Sequence, residues 1–165
     1  VFVVYGAWLE DRFGLSVTSL GLASIVIALA EFTAESGAAG LVDRIGKRRA
    51  VAGGILLSAA AYLLLPHAAG GLAGALAGMC LVFLAFEFAI VATLPLVSEL
   101  APGARATVLA LNVAAMSFGR VVASVSGPRL WLAGGLLLNT GVSAVLALAA
   151  ALILIFAVKE SPVAH

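Results

Sequence analysis

Glu31, Glu35, Glu87 and Arg120 are ionisable side chains set inside long apolar stretches of the sequence. A carboxyl group held away from bulk water can take up and release a proton, and an arginine beside it stays charged and biases that equilibrium. Each such group costs about 2.5–3.5 kcal/mol at the centre of a bilayer on insertion scales, and less near the ends. Each is therefore expected to face protein or a wet cavity rather than acyl chains. Glu31 and Glu35 are four residues apart and share one helical face. In one reading, Glu87 or Glu31 exchanges a proton and Arg120 tunes it or contacts a solute. In the other, Arg120 forms a fixed ion pair with Glu87 or Glu31 that pins helices together, and Glu35 pairs with Arg44 or Lys47.

Other polar groups lie in the same stretches. Ser117 and Ser124 flank Arg120 at helical spacing, giving its helix a polar stripe. Asn112 is a cavity-lining candidate, and Asn139 and Thr140 each need a hydrogen-bond partner. His67 and His165 are isolated and Cys80 is the single cysteine, so no metal cluster, disulfide or cofactor is expected. There is no glycine-rich phosphate loop for an ATP-driven pump. No serine–histidine or paired-aspartate set suggests an intramembrane protease. The net charge of +1 gives nucleic acid no electrostatic hold.

The elements that must position these groups follow from composition. Of 165 residues, 64% are hydrophobic and 10% are charged. A soluble domain needs roughly 25% charged residues to cover itself. This chain must place its surface in lipid or against other membrane helices. A span needs about 20 apolar residues. Segments near 17–39, 50–66, 71–97, 106–127 and 131–158 meet or approach that length, and residues 1–9 are read as the end of a further helix. The runs are rich in Ala and Leu and do not alternate, so an all-α, polytopic transmembrane helical bundle is expected. The breaks are placed at Glu10–Ser16, Asp43–Arg49, Pro66–Gly70, Ser98–Ala104 and Gly127-Pro128-Arg129, with Ser16 or Thr18 as an N-cap.

Basic residues set the orientation. Arg44, Lys47, Arg48, Arg49, Arg105 and Lys159 fall on one side, and Arg12 and Arg129 on the other. The first group is placed in the cytoplasm with the C-terminus, and Trp131 at the outer interface. Ala115, Gly119, Ala123 and Gly127, and likewise Gly74 and Gly78, form small-residue rows suited to close helix packing.

The stretch Gly40-Leu41-Val42-Asp43-Arg44-Ile45-Gly46-Lys47-Arg48-Arg49 resembles the loop signature of the major facilitator superfamily, which recurs in both halves of that fold. Gly40 and Gly46 would permit a tight reversal between two helices, and Asp43 places an anion at a helix end. Asp11–Ser16 resembles the outer loop after the first helix of each half, and Leu94–Ala106 the inner loop between the fourth and fifth. Gly119 with Gly127-Pro128 echoes the antiporter glycine–proline pattern but lacks the glycines that follow the proline.

The resemblance covers nearly the whole chain. It implies the C-terminal six-helix half of a transporter with a truncated first helix, closest in pattern to bacterial sugar-efflux-like or drug-efflux permeases. The implied activity is secondary active transport of a small solute by alternating access, with proton-coupled efflux. The implied partners are the lipid bilayer, a small-molecule substrate, and the N-terminal half of the same transporter or a second chain. The implied location is the cell (inner) membrane. Glu87, Glu31, Arg120 and Asn112 would carry substrate or proton, and Asp43 with its basic neighbours would latch the halves. The alternative is a non-transporting membrane scaffold or accessory subunit.

Overall fold

A computed structural model describes residues 1–158, the side chain of Ala39 excepted. Lys159 and the tail 160–165, expected to be a short exposed end, lie outside the described residues. The described chain is a run of helices: α1 (Tyr5–Phe13), α2 (Val17–Ile45), α3 (Lys47–Ala68), α4 (Leu72–Leu100), a 3-10 turn (Pro102–Ala104) and α5 (Arg105–Ala157). Among the described residues four helices, α2 to α5, are long and apolar enough to cross a membrane. At about 1.5 Å per residue, the 29 residues of α2 and of α4 reach about 43 Å, beyond a hydrocarbon core of roughly 30 Å.

Local chemistry sets the helix ends. Gly14 closes α1 with φ 63°, its N–H donating to the Glu10 carbonyl. Ser16 caps α2, its Oγ accepting from the Ser19 N–H at 3.3 Å. The basic loop is tighter than expected. α2 continues through Gly40 and Asp43 to Ile45, and α3 begins at Lys47, so Gly46 alone makes the junction. Gly46 adopts φ 88°, a left-handed value glycine takes without a Cβ penalty. Gly40 is a helical residue and serves no reversal. Pro66, expected to end a span, is inside α3, whose helix runs on to Ala68.

The last break also differs. Gly127, Pro128 and Arg129 are helical, and the interruption falls at Gly134 (φ −160°, ψ 19°) and Gly135 (φ 60°, ψ −150°). Pro128 removes one backbone donor, which a helix survives, whereas the Gly135 conformation is essentially restricted to glycine. A Cβ on Gly134 would also lie 2.7 Å from the Leu138 Cβ. The chain folds back here. Asn139 Nδ2 donates to the Gly127 carbonyl at 3.0 Å, though twelve residues of straight helix would separate them by about 18 Å. α5 is thus a hairpin of a first arm, 105–133, and a second arm, 136–157.

α3 packs most extensively on α4 and on α5, and α2 packs on α4. One core cluster joins Trp8, Leu9, Ile27, Tyr62, Leu65 and Met79, with Trp131 packed against it. A second joins Val42, Ala50, Val51, Ala92 and Leu96 nearer the Gly46 junction. Small residues govern the α3–α4 contact. A Cβ on Gly54 would fall 2.9 Å from the Ala89 Cβ, and one on Gly74 would strike the Ala68 carbonyl oxygen. The second row behaves differently. Ala115, Gly119 and Ala123 are exposed on the first arm, and only Gly127 approaches a neighbour, at Val3 and Val4.

Candidate functional site

Helix lengths place the charged groups at one depth. Glu31 stands at the midpoint of α2, Glu87 beside the midpoint of α4, and Arg120 beside the midpoint of the arm 105–133. Arg120 is therefore as close to the middle of its arm as the carboxylates are to the middles of their helices. Glu35 lies one turn from Glu31 toward the Gly46 junction.

The register between α2 and α4 brings them together. The two helices run in the same direction, and Cys80 Sγ lies 4.0 Å from the Val26 carbonyl oxygen. The same spacing sets Glu87 opposite Thr33, between Glu31 and Glu35. The Glu87 carboxyl has Glu31, Glu35 and Arg120 as charged neighbours. Glu31 and Glu87 are half-buried, and Glu35 and Arg120 are exposed on the protein surface. The arrangement brings three carboxyl groups together between α2 and α4 with a fixed cation in reach.

The fixed ion pair of the structural reading is not formed. Among the described residues Arg120 makes no salt bridge with Glu87 or Glu31. Glu35 is a charged neighbour of Glu87, and Lys47 pairs with Glu99 instead. Asn112 is half-buried on the Arg120 arm, two turns away, with Nδ2 3.6 Å from Met116 Sδ.

An aromatic cluster packs on the α4 turns that precede Glu87. Phe2 meets Phe83 edge-on at 4.4 Å and Phe86 at 4.5 Å, and Tyr5 meets Phe83 at 5.9 Å. Tyr5 Oη and Ser24 Oγ share a hydrogen bond at 3.0 Å, tying α1 to α2. These contacts fix the helix that carries Glu87.

At the Gly46 end, Lys47 is ion-paired with Glu99 in the last turn of α4. Arg48 Nη2 donates to the Ile155 carbonyl at the end of α5, a favourable place for a cation. Glu99 was legible in sequence only as part of the loop after the third long span. Asp43, Arg44 and Arg49 are exposed.

A bundle of long apolar helices with ionisable groups gathered at mid-depth defines a polytopic membrane protein of the transporter class. The chain matches the Major Facilitator Superfamily over residues 1–165, its whole length, and belongs to that family. Membrane transport is accordingly its general activity. No curated protein and no solved structure matches the chain.

Proposed function

We propose that the protein exports a small solute by alternating access, driven by protons that bind at Glu35 and Glu87. The half described by these helices works against a second half, either the N-terminal half of the same transporter or another chain. The observation that carries this reading is the cluster of Glu31, Glu35 and Glu87 near the midpoints of α2 and α4, with Arg120 as a charged neighbour. Proton uptake lets the two carboxyls stay together. Proton loss leaves two anions side by side in a medium of low dielectric, which drives α2 and α4 apart or draws Arg120 in. A proton step thereby becomes a helix movement. Asn112 and Arg120 present polar groups to the solute from the first arm of α5.

The basic end faces the cytoplasm of the cell that makes the protein, by the excess of Arg and Lys there. Asp43, Arg44 and Arg49 are free on that surface to engage the second half as it rocks, while Lys47 and Arg48 hold this half together. The test is proton movement in proteoliposomes of the full-length protein carrying a pH-sensitive dye, challenged with a panel of small solutes. Solute-dependent proton flux is expected in the wild type and should be lost with Glu87→Gln. Flux unchanged in that variant would remove Glu87 from the mechanism.

A further inference from the structure

A groove of about 800 Å³ runs along the second arm of α5, outside the carboxyl site. Leu63 of α3 forms one wall, and Leu137, Leu138, Val142 and Val145 form the other. Its lining is aliphatic. Gly141 lies in it, and a Cβ on that residue would meet nothing within 4 Å.

The groove lies toward the end of the bundle opposite Gly46, where α3 finishes and α5 reverses. Two basic side chains stand at that end. His67 is exposed and lies four residues beyond Leu63 on α3. Arg129 is exposed and lies four residues before Ala133, which also lines the groove. Helical spacing puts each on the face of the lining residue, one turn away. Among the described residues neither is in a salt bridge.

We propose that this groove binds an anionic phospholipid, with an acyl chain along the aliphatic wall and the phosphate held by Arg129 and His67. A guanidinium gives phosphate paired hydrogen bonds, and an imidazole adds a third donor. Free phosphate has no chain to fill the groove. A zwitterionic lipid fills it but brings no net negative charge to the two basic groups. The carboxyl site plays no part in this binding.

Native mass spectrometry of the full chain in detergent tests it, with phosphatidylglycerol and phosphatidylcholine of the same acyl chains as probes. Phosphatidylglycerol should be retained at lower concentration, by roughly fivefold for the arginine engaged. Arg129→Gln with His67→Gln should erase that preference, and Arg129→Lys should keep most of it. Gly141→Leu, which fills the groove, should weaken both lipids. Equal retention of the two lipids by the wild type would mark annular lipid only and overturn the proposal. Unchanged retention in Gly141→Leu, or displacement by inorganic phosphate at equal concentration, would do the same. Thermal melting of each variant separates lost lipid from lost fold, and the wild-type comparison of lipids stands without any variant.

Discussion

Asn139 and Gly127 close the hairpin of α5: the buried amide donates to the Gly127 carbonyl at 3.0 Å. In lipid no water replaces that bond, so this side chain helps keep the two arms paired. Asn139→Leu should destabilise the protein by about 1–3 kcal/mol, the usual cost of orphaned buried groups. Unfolding of detergent-solubilised protein by titrated denaturant reads the change. An unaltered midpoint would mean that apolar packing alone holds the arms.

The reversal depends on Gly135, whose φ of 60° with ψ of −150° suits no residue with a Cβ. Gly135→Ala should cost about 1–3 kcal/mol of stability. Gly119→Ala on the exposed first arm should be close to neutral, since its Cβ would meet nothing within 4 Å. The pair is compared in the same unfolding assay. Equal effects would deny the reversal its special backbone.

Much of this architecture was legible before any coordinates. Apolar runs longer than a bilayer gave the helices, Ser16 gave a cap, and the i, i+4 spacing of Glu31 and Glu35 gave a shared face. A reversal in residues 105–157 was expected, but its place was not legible. Gly127-Pro128-Arg129 looks like stronger punctuation than Gly134-Gly135, yet a proline costs a helix one donor while Gly135 supplies a backbone angle that ends it. Glu35 lies near the basic loop in sequence, which points to Arg44 or Lys47 as its partner. Only the α2–α4 register, fixed by contacts such as Val26 with Cys80, shows that Glu35 faces Glu87. Register between helices is a tertiary property that no local spacing encodes.

Gly54 lets α3 and α4 approach, and any side chain there must push them apart. Gly54→Leu should cost about 1–3 kcal/mol through overpacking, seen as a lowered melting temperature in detergent. Gly53→Leu, one residue away with nothing within 4 Å of its Cβ, is the control and should melt like the wild type. If both variants melt alike, the α3–α4 contact is looser than described.

Lys47 and Glu99 are 30% and 56% exposed, so their ion pair is screened by water and salt. Lys47→Gln should change stability by less than about 1 kcal/mol. A larger loss in the unfolding assay would mean that the pair holds the two helix ends more firmly than an exposed contact can.

The central proposal is that protons bind at Glu35 and Glu87, near the midpoints of α2 and α4. Infrared spectroscopy of the reconstituted protein at neutral pH measures it directly, through the carbonyl stretch of a protonated carboxyl group. The wild type should show that band, and Glu87→Gln and Glu35→Gln should each remove it. A wild type without the band, or a band that survives both substitutions, would contradict the account.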